Sequence, residues 1–437
     1  MARLRCAFVA LAMGGALATS AAPARADFTF KSLANFELTN GSEPGGTIIE
    51  DTSGNLFGVT GNWPSATMGS IYELPAGSST ISTLAAFNGG NGSEPSNLDV
   101  DNNGNFFGTT YAGGSSGGGT VFKLPAGSST ISPIVSFTGP NGSGPRDQSF
   151  ITDSAGDIFG TTYKGGSGYG TVFELPAGSN QISPIATFNN SNGSGPLAMA
   201  MDKSGNIFGV TQYGGQYGIG TVFEVPAGTH TISTILSFGS DPDLGQFPTD
   251  LILDSNGNLY GSTNIGGPNI DGSVFKLAAG TYAPTLLASF GGYSIPNLGY
   301  PDHLLLDPAG DLFGTSLLGG QYVEGSIWEV PAGTQTLITL HSFDSGDGAD
   351  PDALSLGAHG NLFGATEWGG DTSLNNGTGE GTLFELSPVV PEPASVALLV
   401  ASVAVGLWRG SWPRNSDATS NGSATKSPRS RRSRRTT

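Results

Sequence analysis

The sequence predicts an all-β chain: a seven-bladed β-propeller of four-stranded blades, closed by the N-terminal strand, with a C-terminal transmembrane helix and a disordered tail. Three observations carry this prediction. The string Gly-[Asn/Asp]-apolar-aromatic-Gly starts at Gly54, Gly104, Gly156, Gly205, Gly257, Gly310 and Gly360, and spacing near fifty residues is the mark of a repeat architecture. No ten-residue stretch of these units keeps helical periodicity without a glycine or proline breaking it. The chain opens its body with a lone copy of the repeat's last strand, and the final unit lacks that strand.

Each unit reads as four strands in order. The first is a short apolar run such as Asn97–Asp101 or Leu251–Asp254. An Asp-x-x-Gly-Asn turn follows, whose glycine supplies the positive φ of a tight hairpin. The second strand is of the type Asn55–Thr60, and a Gly-Gly loop of variable length leads to the third, as in Thr171–Gly178. The fourth is the Ile-Ser-x-x-x-x-Phe run at Ile81–Phe87, Ile131–Phe137, Ile182–Phe188 and Ile232–Phe238.

Four strands per repeat suit either an open solenoid or a closed ring of blades. A solenoid needs atypical capping repeats. Instead, Phe30–Phe36 is a fourth strand with no third before it, and the last unit stops after Gly381–Val390. Pairing the one with Thr382–Leu386 completes the seventh blade. Strands covered on both faces should be apolar on both sides, as Thr221–Val225 and His303–Asp307 are. The glycine after each repeat aromatic, such as Gly58 or Gly108, is expected to let neighbouring blades approach.

The ends read differently from the body. Arg3 and Arg5, an apolar run from Cys6 to Ala18, and Ala24 and Ala26 at a small-residue cleavage site form an export signal over residues 1–26. The only cysteine, Cys6, leaves with it, so the mature chain folds without disulfides. The propeller spans 27–388. From Asp27 to Val390 there are 33 acidic residues against 6 basic ones, a net of −27, which repels phosphate backbones and excludes nucleic acid as a partner. Residues 389–410 hold Pro391, Glu392 and Pro393, some fifteen apolar residues from Ala394 to Trp408, and Arg409. On physical grounds this is a short membrane anchor with a basic flank. Residues 411–437 are polar and basic, hence disordered.

Two resemblances add to this reading. The box Pro391-Glu392-Pro393, the apolar stretch and Arg409 resemble a PEP-CTERM sorting signal of bacteria that make extracellular polysaccharide. That likeness implies an exosortase-like processing partner and transient insertion in the inner membrane. The tail beyond Arg409 departs from the family pattern, in which chains end soon after the first basic residues. The repeat Gly-Asn-Leu-Phe-Gly … Gly-Thr-Val-Phe-Glu-Leu-Pro-Ala-Gly is similar to the GloVer tandem repeat of bacterial surface proteins over roughly Phe28–Leu386. It implies a location at the cell envelope or surface and no particular activity.

A catalytic site on a propeller requires a group that breaks the repeat symmetry at the axis. The histidines His230, His303, His341 and His359 stand at unrelated strand positions and read as surface or turn residues. The turn aspartates Asp51, Asp101, Asp153, Asp202, Asp254 and Asp307 recur in six units, which argues for turn geometry. No catalytic constellation is visible, and no cofactor is implied. The acidic loop with Asp344, Asp347, Asp350 and Asp352 has the composition of a Ca²⁺ site but not the EF-hand spacing. Tyr111, Tyr163, Tyr213 and Trp368, with Trp63 and Tyr217, stand among glycines after the second strands, where aromatics can stack on sugar rings. The expected protein is an exported, monomeric, non-catalytic binding or matrix module with extracellular polysaccharide as its partner. A glycan-acting lyase or hydrolase, or a plain envelope spacer, is the alternative.

Overall fold

The computed structural model describes residues 27–61, 68–146, 150–291, 299–373, 377 and 379–389. Ala24, Ala26, Trp63, Pro391, Glu392, Pro393 and Arg409, with the anchor and tail, lie outside the described residues. Among the described residues no helix is long and apolar enough to cross a membrane.

Seven antiparallel sheets follow one another along the chain. The first strands of the units are Pro44–Glu50, Ser93–Pro95 with Asp99–Val100, Phe150–Thr152, Ser194–Met201, Gln246–Leu253, Pro301–Leu306 and Ala349–Leu356. These strands start earlier than the apolar runs indicate, because the Pro-containing segments pair with the ends of the second strands: Pro196 faces Thr211 and Pro351 faces Thr366, before a bulge shifts the register. In the second blade the first strand is broken in two around Ser96–Leu98.

The ring closes at the seventh blade. Phe28–Asn35 pairs with Thr382–Pro388, Phe30 facing Leu386 and Asn35 facing Thr382. Phe36 then repeats what the end of every fourth strand does. Its N–H donates to Gly381 O at 2.9 Å, as Phe87 N–H does to Gly69 O at 3.0 Å. Its ring meets Tyr72 of the first blade edge-on, centroids 5.0 Å apart, as Phe87 meets Phe122 at 4.9 Å and Phe188 meets Phe223 at 5.0 Å. Direct bonds join the last blade to the first: Gly46 N–H donates to Asp352 Oδ2 at 2.6 Å and Ile48 N–H to Ser355 Oγ at 2.9 Å.

Apolar side chains fill wedges between neighbouring blades. One wedge joins Phe57, Val59 and Ile71 of the first blade to Leu98, Phe122 and Leu124 of the second. The closing wedge joins Phe36, Phe363 and Leu383 to Ile48, Leu56 and Tyr72. Two glycine positions make this packing fit. The repeat glycine on the second strand leaves room for the aromatic opposite it on the third strand: a Cβ on Gly58 would lie 2.4 Å from the Tyr72 hydroxyl, and one on Gly261 2.3 Å from Phe275. Its role is therefore within the blade, not between blades as the sequence indicated. The glycine that opens the third strand does serve the interface. A Cβ on Gly69 would lie 2.5 Å from Pro95 of the next blade, and the same meeting recurs between Gly220 and Pro248 and, at closure, between Gly381 and Pro44.

Candidate functional site

The two variable loop sets share one end of the ring. The second-to-third-strand loop bonds to the loop preceding the blade's first strand: Gly114 N–H donates to Gly89 O at 2.8 Å, Gly215 N–H to Asn190 O at 2.8 Å, and Gly370 N–H to Ser345 O at 3.0 Å. The other end carries near-uniform turns. There Asp51 Oδ1 accepts from Ser53 and Asn55 N–H, and Asn55 Oδ1 accepts from Ala76 N–H of the Pro-Ala-Gly turn. Burial acts against the charge of Asp51, but these bonds hold its carboxyl below the usual range. In the seventh blade, where Gly357 replaces the aspartate, Glu50 of the first blade accepts from Ala358 N–H instead.

On the loop face, the residue before each first-strand proline adopts a left-handed backbone. Glu43, Glu94, Phe247, Tyr300 and Asp350 have φ between 49° and 56°, with Gly144 and Gly195 at 64° and 62°. A side chain in that conformation costs about 1–3 kcal/mol. Here the following proline and the ladder around it hold it in place.

Inside this circle a funnel of about 440 Å³ opens at the axis, lined by Glu43, Glu94, Asp352 and Glu367, with Tyr111 and Arg146 on its wall. The Arg146 guanidinium lies 4.3 Å from the Tyr163 ring centre and 5.4 Å from that of Tyr111. Each tyrosine also lies over a left-handed glycine of the next blade, Tyr111 over Gly144 and Tyr163 over Gly195.

Blades five to seven place titratable groups along the axis. Asp250 Oδ1 accepts from Leu251 N–H at 2.6 Å and Oδ2 from Leu304 N–H of the next blade at 2.7 Å. Burial nevertheless raises its carboxyl to about 7. Asp302 is raised to about 6, by burial first; His303 opposes the shift, while Asp352 and Asp250 add to it. The residue itself stays part-accessible. His303 is buried, and its Nε2 lies 3.5 Å from Asp352 Oδ1. His303 is thus an axial residue, not the surface or turn residue expected from the sequence. Asp250, Asp302 and Arg146 were missed altogether. Aligning the repeats on the proline would have found Arg146 and Asp302, with Asp250 one position further on. The residue after it runs Gly45, Ser96, Arg146, Leu197, Thr249, Asp302, Asp352 around the ring, and this column breaks the symmetry.

The sequence-predicted candidates divide. Tyr111 and Tyr163 directly follow the second threonine of their strands, whereas Tyr213 and Trp368 stand one residue further on. The pleat turns the second pair to the other side of the strand. All four sit at the loop end; Tyr163 stands beside both Tyr111 and Tyr213, and its hydroxyl donates to Gln212 Oε1 at 3.2 Å. Tyr213 is exposed and meets Phe247 edge-on at 5.6 Å. The acidic loop does not converge either. Asp344 and Asp347 cap each other's backbone: Asp347 Oδ1 accepts from Asp344 N–H at 2.9 Å, and Asp344 Oδ1 accepts from Asp347 N–H at 3.2 Å. Asn88 and Asn91 do the same in the loop between the first and second blades. Asp347 Oδ2 also meets His341 Nε2 at 2.9 Å, and that ring stacks on Phe30 with centroids 3.7 Å apart. Asp350 belongs to the left-handed circle and Asp352 to the funnel. Among the described residues no group of three or more His, Cys, Asp or Glu side chains is arranged to hold a metal ion.

The model of the Gloeobacter/Verrucomicrobia repeat matches the chain in three overlapping stretches, residues 20–196, 126–298 and 201–423. No match was found among curated proteins. Solved structures share the fold at low identity. The chain is similar to PorZ of Porphyromonas gingivalis, a bacterial surface component of the type-IX secretion system, at 13% identity and a TM-score of 0.51. That likeness covers 82% of this chain and 48% of the other, so the chain spans about half of that protein. A putative 6-phosphogluconolactonase from Bacteroides uniformis matches at 15% identity and a TM-score of 0.47, over 70% of this chain and 88% of that one. A gluconolactonase from Xanthomonas campestris matches at 11% identity and a TM-score of 0.44, over 83% and 96%. Such identities speak to the fold alone.

Proposed function

The chain belongs to the Gloeobacter/Verrucomicrobia repeat family, and from that premise we propose that it is an exported, surface-associated binding module for extracellular polysaccharide. The observation that carries the proposal is the contrast between the two ends of the ring. One gathers the variable loops, exposed tyrosines such as Tyr213, Tyr217 and Tyr322, and a funnel large enough for a few sugar rings. The other repeats the same two turns from blade to blade. Variable loops on a constant scaffold are the usual way to carry recognition, and tyrosine rings pair an apolar face with a polar tip. Binding of the full chain to a panel of polysaccharides tests it. Tyr213→Ala with Tyr217→Ala should weaken the bound glycan by about 1–3 kcal/mol, by analogy with base stacking on aromatic platforms, without lowering thermal stability. A panel without a single binder would remove the proposal.

The surface location rests on the export signal and on the Pro391-Glu392-Pro393 box. Glu392→Ala should leave an uncleaved precursor in the membrane fraction. Released protein that still carries Arg409 to Thr437 would defeat processing at the box. A second reading, acid–base catalysis on a glycan, is favoured by Asp302, His303 and Asp352 on the axis. Release of shortened glycan by the native chain, lost in Asp302→Asn, would establish it in place of simple binding.

A further inference from the structure

The second-to-third-strand loops of the fourth, fifth and sixth blades form, we infer, a platform for an uncharged polysaccharide. This deepens the polysaccharide reading and rests on it, and it seats the ligand outside the axial funnel, which these loops do not line. The loops run Gly214–Gly220, Gly266–Gly272 and Gly319–Gly325, equal in length to one another and to Gly113–Gly119 of the second blade. Their fifth position is made for glycine. Gly117 and Gly218 hold it with φ of 75° and 80°. In the fifth and sixth blades the same left-handed place is taken by Ile270 and Val323, at 76° and 66°. Among the described residues with positive φ these two alone are β-branched, the kind of side chain for which that conformation is a genuine outlier.

Neither side chain fills the core, since Ile270 is 65% exposed and Val323 46%. Strain that persists where glycine would relieve it points to function. Tyr217 and Tyr322, both exposed, stand at the fourth position of the same set of loops, so three successive blades present apolar groups to the outside. Such a patch marks a contact beyond the chain. The loops are also held in place beforehand. Tyr217 lies against Gly239, where an added Cβ would come within 2.9 Å of the tyrosine's own. In the fifth blade the Ser289 hydroxyl accepts from Asn269 N–H at 3.2 Å, and the Ser289 carbonyl from Asn269 Nδ2 at 3.3 Å. In the sixth, Ser345 Oγ donates to Glu324 Oε1 at 3.3 Å. Groups fixed in this way lose little freedom on binding.

Charge and repetition name the occupant. The three loops contain no lysine or arginine, and Asp271 and Glu324 stand in two of them. An acidic polymer or an anionic membrane is therefore repelled. A second copy would bring the same acids against this face, on a body with 33 acidic residues and 6 basic ones. An uncharged sugar chain meets no such opposition. Its rings offer C–H faces to Tyr217 and Tyr322, whose apolar bodies and polar tips suit them. Its repeating units match a surface that repeats one loop from blade to blade.

The test measures binding of the full chain to a glucan, a mannan and a xylan, all neutral, and to alginate, a polyuronate, by affinity electrophoresis. At least one neutral polymer should bind, and alginate should not. Ile270→Gly with Val323→Gly should weaken that binding by about tenfold, the scale of losing buried aliphatic side chains. The double variant should melt no lower than the native chain, because glycine is what the second and fourth blades carry at this turn. Alginate binding in place of the neutral polymers would overturn the inference and leave the polysaccharide reading standing. Neutral binding unchanged in the double variant would do the same. A lower melting temperature in that variant would show that the two side chains serve the fold instead. Binding of no polymer would remove both readings. A dimer in sedimentation, or attachment to lipid vesicles, that the double variant abolishes would give the patch to a second copy or a membrane and overturn the inference.

Discussion

Asp302 joins burial to a measurable property of the folded chain. Its carboxyl is raised from an ordinary value of 3.8 to about 6, and that of Asp250 to about 7. Between pH 4 and 7 the folded state therefore binds protons that the unfolded state does not, and stability rises as pH falls through that window. Thermal melts should show a maximum near pH 5, above the range where turn aspartates such as Asp51 and Asp254, held low, begin to protonate. At about 1.4 kcal/mol per pKa unit, Asp302→Asn should stabilise the protein at pH 8 by roughly 3 kcal/mol and flatten the profile. A melting temperature that climbs steadily from pH 5 to 8 would contradict this. Ser316 offers a simpler case. Threonine or serine hydroxyls pair between the second and third strands elsewhere, as Thr110 with Thr120 at 3.0 Å and Thr211 with Thr221 at 2.8 Å. Ser316 is buried with its hydroxyl unpartnered. Ser316→Thr, which supplies the stiff rotamer of the other blades, should add about 1 kcal/mol, the net value of one hydrogen bond, read as a higher denaturation midpoint. The turn aspartates were legible because they recur with their bonding partners in the same short string. Asp302 was not, because its meaning depends on the column it occupies around the axis, which shows only when the seven repeats are aligned on the proline before it.

The closing strand shows what the sequence makes legible at the level of an element. Phe28–Asn35 was identifiable because it carries the repeat's own last line, and Phe36 lands where Phe87 and Phe188 land in their blades. What it covers was less evident: Phe30 fits against His341, Phe343 and Phe384, with centroids at 3.7, 5.6 and 5.6 Å. Without the strand, the Thr382–Pro388 edge and this cluster face water, an invitation to intermolecular pairing. Deleting residues 28–36 should lower the melting point and produce concentration-dependent oligomers in light scattering. A deletion variant that stays monomeric and equally stable would deny the strand its role. The milder Phe36→Ala should cost about 3–5 kcal/mol, the usual range for a buried phenylalanine. The first strands were read less well, since their pairing starts in Pro-containing segments that look like loop and includes a bulge. The acidic loop misled because mutual capping of Asp344 and Asp347 in the last loop replaces what Asn88 and Asn91 do between the first and second blades.

Across the whole molecule, the blade interfaces repeat one contact, glycine against the next blade's proline, and Gly381 against Pro44 is the copy that shuts the ring. Gly381→Ala would place a methyl near Pro44 at a residue with φ of 99°. It should open the junction of blades seven and one first, seen as early amide exchange confined to Phe28–Asn35 and Thr382–Pro388. The same closure dictates a timetable. Phe28 is made before any blade, yet its partner Pro388 comes after all of them. Contacts so distant in sequence are slow to form, and no part of the chain made earlier can stand in for them. A chain threaded outward across a membrane must stay extensible until it has passed. This one withholds its last fastening until the seventh blade has been made, so that in the exported protein we propose the moment of locking coincides with the end of delivery.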